Sequence, residues 1–391
     1  MIELRLKPRE DRRLRAGHLW VYSNELDTPE GFRQLPVGSL CRLLDDRGRP
    51  LGTGYLNPHT LIAVRLLTGA AQAQIDTDWF VRRFESALAL RQRRYPTPHY
   101  RLVFGESDGL PGLVVDRFGD VLAVQITTAG MEQLKPMILA ALERLLAPAA
   151  IRIVNDLPMR ATEGLPLTDE WVGAAPQALV VEEGPVRFQV PLDGAQKTGW
   201  FFDQAQNRDR WAPYACGARV LDVFSYAGGW ALRALAAGAE QAVCIDRSAA
   251  ALAAATASAA DHGWALECLQ GEALDQLKRL RTDGRSFDFI VVDPPALVKR
   301  KKDLHQGLEH YAALNRAAIA LLAPDGLLVS CSCSHHVADT DLQRMVLREA
   351  RAAKRRMQIL ETGSQGPDHP VHPAIPETRY LKGMISRLHQ S

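Results

Sequence analysis

Apolar positions in the C-terminal half of the chain form short continuous runs that alternate with stretches of helical spacing. ARVLDVF (218–224), QAVCID (241–246), ALECLQ (265–270), FDFIVVD (287–293) and GLLVSCS (326–332) read as buried strands. Between them the spacing predicts helices over about 229–237, 248–262, 273–282, 307–323 and 338–354. Ser248 is placed to cap the second helix and Gly263 to end it. MQILET (357–362) and YLKGMISRL (380–388) add two last strands. Strands alternating with helices predict an α/β fold with a doubly wound, mostly parallel, seven-stranded Rossmann-like sheet.

The N-terminal half has a different rhythm. Residues 1 to about 70 read as short strands and turns, with a hairpin at Asp46-Arg47-Gly48. A small β domain is expected over 1–72. Trp79, Phe80, Phe84 and Leu88 share helical spacing within 76–95, and Pro96-Thr97-Pro98 ends that run. Alternating strands over 101–127, a helix over about 130–147, and β segments at about 150–156 and 179–190 complete an α+β domain over 73–190. The doubly wound domain then occupies 191–391.

Composition narrows the class without naming it. The 391 residues are 47% hydrophobic and 24% charged, ordinary for a globular protein and enough for two or three domains. No apolar run is long enough for a membrane span, and the charged N-terminus lacks a signal core, so a cytoplasmic protein is expected. Six scattered cysteines without a CxxC pair argue against a disulfide framework and a zinc ribbon, and no metal is expected. A net charge of +2 leaves any nucleic-acid role to local basic patches.

Candidate chemistry lies at the strand ends, where ligands bind in such sheets. The first strand runs into Asp222-Val223-Phe224-Ser225-Tyr226-Ala227-Gly228-Gly229, a glycine turn unlike the dinucleotide fingerprint. The second ends at Asp246, placed to accept bonds from ribose hydroxyls, and the third at Gly271-Glu272, where a carboxylate can meet an adenine amino group. The fourth ends at Asp293-Pro294-Pro295, whose prolines stiffen a loop on which a flat base can stack. This set resembles the class I S-adenosylmethionine-dependent methyltransferases.

The fifth strand ends Ser330-Cys331-Ser332-Cys333-Ser334-His335-His336. Cytosine C5 is too weak a nucleophile to take a methyl group directly. A thiolate added at C6 turns C5 into an enamine carbon, which is covalent catalysis by an activated Cys. Cys333 lies farther out than Cys331 on the same strand face and is taken as the nucleophile, with the choice between the two left open. Asp293 would bond the N3/N4 edge of the base.

Across essentially its whole length the chain resembles the bacterial 23S ribosomal RNA cytosine-C5 methyltransferases of the RlmI type. HLWVYSNEL (18–26) is similar to that family's N-terminal PUA domain, an RNA-binding β barrel. FGESDGLPGLVVDRFGD (104–120) resembles its central domain, and DHPVHPAIPETRYLKG (368–383) its C-terminal segment. In QKTGWFFDQAQNR (196–208), Lys197, Thr198, Phe201, Asp203 and Gln204 match a motif bordering the cofactor. The resemblance implies S-adenosyl-L-methionine held also by Asp222, Phe224, Ser225, Ala227, Gly228, Asp246, Glu272 and Asp293. It further implies Cys333 as nucleophile, 23S rRNA as substrate and a homodimer.

Pro294 and Pro295 are expected to meet the substrate base. The cation run Lys299-Arg300-Lys301-Lys302, just after them, would hold flanking phosphates through Lys299 and Arg300. A rival reading is guanine-N7 methylation on the same scaffold. A third is an RNA-binding protein that retains the fold without the activity.

Overall fold

The computed structural model describes residues 1–28, 30–191 and 198–390. Contacts divide the chain into two compact units, Met1–Gln177 with Pro367–Thr378 and Ala178–Gly366 with Arg379–Ser391. The boundary therefore falls at 177/178 and not at the expected 190/191. The reason is packing. The hairpin Leu179–Glu183/Val186–Val190 lays its second strand on the helix Ala249–Asp261, where Gln189 N–H donates to Ser258 Oγ at 2.7 Å. Among the described residues no helix is long and apolar enough to cross a membrane.

The first unit contains two sheets. Six strands pair in the order 20–22, 62–68, 50–56, 40–44, 2–6, 26–27, over a core that includes Leu4, Val21, Leu43, Leu56 and Val64. The predicted hairpin is present: Leu40–Leu44 and Pro50–Leu56 run antiparallel, and Asp45 ties the turn by accepting the Arg47 and Arg49 N–H groups. Five strands form the second sheet in the order 169–173, 150–154, 121–126, 113–118, 99–104. Phe80 and Phe84 of the helix Thr77–Gln92 pack with Leu102, Val115 and Val124 in its core. The expected helix over 130–147 is broken at Leu134 into Ala129–Gln133 and Lys135–Leu146, because Pro136 fits only the first turn of a new helix.

The second unit is the doubly wound domain. Its strands are β1 (Arg219–Val223), β2 (Gln241–Asp246), β3 (Leu266–Gln270), β4 (Phe287–Val292), β5 (Leu322–Ser332), β6 (Arg355–Gly363) and β7 (Lys382–Gln390). They pair in the order β3-β2-β1-β4-β5-β7-β6. The first five are parallel, and β7 is antiparallel to both β5 and β6. The helices are α1 (Ala205–Trp211), α2 (Gly229–Ala236), α3 (Ala249–Asp261), α4 (Ala273–Thr282), α5 (Leu304–Ile319) and α6 (Asp339–Ala352). Ser248 caps α3 by accepting the Ala251 N–H. The helix expected over 307–323 is shifted, since the chain already enters β5 at Leu322. Near-continuous apolar runs such as Phe289–Val292 are buried because helices cover both sheet faces.

Strand order reverses between β1 and β4. The carboxyl ends of β1, β2, β3, β4 and β5 thus converge on one rim, beside that switch point.

Candidate active site

A cavity of about 990 Å³ opens at this rim. The loop after β1 forms one wall and is wound unusually tightly. Phe224 (φ 66°), Tyr226 (φ 49°) and Gly228 (φ 75°) are all left-handed. Such a conformation costs an L-residue about 1–2 kcal/mol, so the loop needs other contacts to hold it. Phe224 and Ser225 both donate their N–H groups to the Ile245 carbonyl, and the Tyr226 hydroxyl donates to the Gly199 carbonyl at 3.0 Å. At Gly228 a Cβ would also stand 3.0 Å from the Ala255 methyl.

Asp246, at the end of β2, completes the restraint. Its Oδ2 accepts the Tyr226 N–H at 2.8 Å and its Oδ1 the Ser248 N–H at 2.9 Å. A carboxylate has about four lone-pair sites, so acceptor capacity remains for hydroxyls in the cavity. Glu272 also lines the cavity but is exposed and pairs with Arg247 at 2.9 Å.

Asp293 follows β4 and faces the cavity. Its Oδ2 accepts from Gln204 Nε2 at 2.9 Å and from Trp230 Nε1 at 3.2 Å. Burial pushes its pKa up to about 6, with the hydrogen bonds from Trp230 and Gln204 opposing the rise. Gln204 is itself fixed, because its Oε1 accepts from Asn207 at 2.7 Å. Beside it Asp203 accepts from the Tyr380 hydroxyl at 2.5 Å. Arg208 of α1, also on the cavity wall, forks onto Glu183 at 2.7 and 2.6 Å and thereby ties α1 to the 179–190 hairpin.

Cys331 in β5 and Cys333 just past its end have different fates. Cys331 is 1% exposed, and burial pushes its thiol well above the ordinary range. Cys333 is half-buried and lines the cavity, with Sγ 3.7 Å from the Pro294 carbonyl oxygen. The residues on either side of it are pinned. Ser332 Oγ lies 3.0 Å and Ser334 Oγ 2.9 Å from the hydroxyl of Tyr311 on α5, and Ser334 Oγ accepts the Val298 N–H.

The cavity therefore gathers Phe201, Asp203, Gln204, Phe224, Ser225 and Asp246 with Glu272, Asp293, Pro294, Pro295 and Cys333. It does not include Asp222, Ala227, Gly228, Lys299 or Arg300. Asp222 is fully buried, accepts the Ala231 N–H at the start of α2, and is pushed by burial to about 7. It shapes the loop from beneath. Ala227 is buried in the same turn, and Gly228 serves by its backbone angle. Lys299 and Arg300 are exposed beyond the prolines, Arg300 paired with Asp303 at 2.8 Å. Thr198 is buried off the cavity, and Lys197 lies outside the described residues.

Several wall residues escaped the sequence reading: Trp200, Tyr226, Trp230, His310 and Tyr380. For Tyr226 and Trp230 a signal existed, since both sit in or beside the glycine turn.

Strand order, a β1 loop open to a ligand, an acid closing β2 and a largely apolar lining whose charged side chains are mostly acidic, suited to a cationic nucleoside, define a class I methyltransferase. A protein-family profile described as S-adenosylmethionine-dependent methyltransferase matches residues 138–381, and one described as PUA-like domain matches residues 4–69. "Ribosomal RNA large subunit methyltransferase I" of Erwinia tasmaniensis is 35% identical over 396 residues, covering 99% of each chain. The protein of that name from Shewanella denitrificans is 34% identical over 395 residues, again covering 99% of each. The fold also matches a candidate SAM-dependent methyltransferase from Streptococcus mutans, at TM-score 0.80 and 20% identity over 99% of this chain and 100% of that one. A solved methyltransferase candidate complexed with SAH matches at TM-score 0.81 and 20% identity, with the same coverage. The chain belongs to the ribosomal RNA large subunit methyltransferase I family, and its cofactor is S-adenosylmethionine.

Proposed function

We propose that this protein methylates C5 of a cytidine in 23S ribosomal RNA through a transient bond between Cys333 and C6 of the base. The large-subunit rRNA substrate is the one named for its relatives. The observation that carries the chemistry is that the Cys333 thiol and the Asp293 carboxyl line one cavity, with the sulfur 3.7 Å from the carbonyl oxygen of Pro294, the next residue after Asp293.

The residues fit the cofactor. The cavity lies in the size range of small-molecule sites, Asp246 can take ribose hydroxyls, and Asp203 and Asp293 offer negative charge to a sulfonium. S-adenosylmethionine, when bound, supplies the electrophilic methyl group.

The chain's own residues do the rest. A base must leave its stack to reach such a pocket, and Pro294 offers a rigid apolar face for it. The Cys333 sulfur forms a bond to C6 and the C5–C6 π pair moves toward C5. Asp293, with its pKa near 6, is partly protonated close to neutrality. It can give a proton to N3 as the adduct forms, or accept from N4 as the carboxylate. After C5 is methylated, H5 leaves as a proton to solvent, its electron pair re-forms the C5–C6 double bond, the C6–S bond breaks to release the Cys333 thiolate, and N3 gives back the proton it took from Asp293. The cations at Lys299 and Arg300 stand outside this pocket, where they can meet the flanking phosphates.

Bisulfite mapping of ribosomal RNA from cells lacking the protein tests this reading. One 23S cytidine should lose its methyl group and regain it when the native chain is supplied, but not with Cys333→Ala. Unchanged rRNA cytidines, or full restoration by Cys333→Ala, would overturn it.

A further inference from the structure

A buried ammonium holds the backbone just past the candidate nucleophile and takes no part in the steps proposed for it. Lys382 opens β7 and is the register partner of Ser332 on β5. It is 5% exposed, and its Nζ donates to the Ser334 carbonyl at 2.7 Å. Among the described residues no carboxylate pairs with it. Asp339, the acid whose charge acts on it, is engaged by Arg379 at 3.1 Å. A buried ammonium held by one neutral carbonyl is costly unless an anion forms nearby. Cys333 is the residue between Ser332, which Lys382 faces across the sheet, and Ser334, whose carbonyl its ammonium holds.

We propose that Lys382 is the positioning charge that holds Cys333 as a thiolate, the form able to add to a pyrimidine ring. This rests on Cys333 being the nucleophile. The thiol proton leaves to solvent, and the resulting S⁻ is offset by the ammonium. Tyr311 on α5 and Cys331 on β5 are neutral, and both thiol and phenol are held protonated by burial. Asp293, across the cavity, opposes a second negative charge, and Asp339 opposes it too. His335 and His336 follow Cys333 in its loop, with His335 exposed to solvent. Arg379 is spent on Asp339. Burial lowers the Lys382 pKa, as expected for a cation awaiting its anion.

The test is the pH dependence of iodoacetamide alkylation at Cys333, followed by peptide mass spectrometry so that the other cysteines do not interfere. In the native chain Cys333 should titrate clearly below the roughly 8.5 of a free thiol. Lys382→Met and Lys382→Gln should raise that pKa by a unit or more, slowing alkylation at pH 7 about tenfold. Lys382→Arg should keep it low. Calorimetric binding of S-adenosylhomocysteine checks that each variant retains its site. A native Cys333 that titrates as a free thiol overturns the proposal without any variant, as does an unchanged profile in both neutral variants. If Cys333→Ala still forms 5-methylcytidine, the nucleophile reading fails, whatever the alkylation profiles show.

Discussion

Asp246→Asn removes one charge and one acceptor from the point where β2 meets the β1 loop. The native carboxylate accepts two backbone N–H groups, from Tyr226 at 2.8 Å and Ser248 at 2.9 Å. An asparagine keeps one oxygen, so whichever way the amide turns, one N–H faces an NH₂ group. A hydrogen bond to a charged group contributes about 1.5–3 kcal/mol. The loss falls on a loop that already holds Phe224 and Tyr226 at positive φ. The negative acceptor for ribose hydroxyls goes as well. At about 1.4 kcal/mol per tenfold in affinity, S-adenosylhomocysteine should bind about 10–100-fold more weakly. Part of the cost should appear in stability, as a melting point lower by roughly 2–6 °C. Isothermal titration calorimetry and a thermal melt without ligand measure the two. Affinity within twofold of the native chain would refute the assignment of Asp246 to the cofactor.

Two carboxyls should leave a mark on stability against pH. Burial raises Asp293 to about 6 and Asp222 to about 7, against about 3.9 in an unfolded chain. The native state then holds protons the unfolded state has released. Their contribution is full below pH 4 and is lost as pH rises through 6 and 7. Urea unfolding of Asp293→Asn and Asp222→Asn between pH 4.5 and 7.5 should show a shallower decline than the native chain, and parallel curves would contradict the shifts. For the exposed pair Lys299 and Arg300, replacing both with alanine should lower the salt slope of RNA affinity by about two. Binding of S-adenosylhomocysteine should not change, and an unaltered salt slope would remove these residues from the RNA surface.

The alternation of buried strands and helices made the doubly wound sheet legible, because both faces are covered and its apolar runs are nearly continuous. Strand-end chemistry was legible for the same reason: period and topology together place Asp246, Asp293 and Cys333 on one rim. What a side chain does at that rim was less so. Asp222 carries the loop motif, yet it points beneath the loop to the α2 N-terminus, which periodicity cannot distinguish from pointing outward. Trp230 and Tyr380 lie on the same wall but come from separate stretches, and only the fold brings them to Asp293 and Asp203. The left-handed angles at Phe224 and Tyr226 had no sequence signal, since neither is a glycine or an asparagine. Residues 368–383 read as one motif, but contacts divide them after Thr378 between the two units. The divergence of Cys331 and Cys333 depends on where β5 ends. Cys331 lies in the strand as a core thiol, and Cys333, one residue past its end, is a cavity thiol.

The proposed reaction makes a carbon–sulfur bond at one named cysteine, and that bond can be trapped. RNA carrying 5-fluorocytidine at the target has no H5 to lose, so the adduct cannot break down once the methyl group has moved. With S-adenosylmethionine present, peptide mapping should find the nucleotide on Cys333. Cys331→Ala should still form the adduct and Cys333→Ala should not. An adduct on Cys331, or methylation of ordinary cytidine with no adduct in the fluorinated RNA, would rule out Cys333 as the nucleophile.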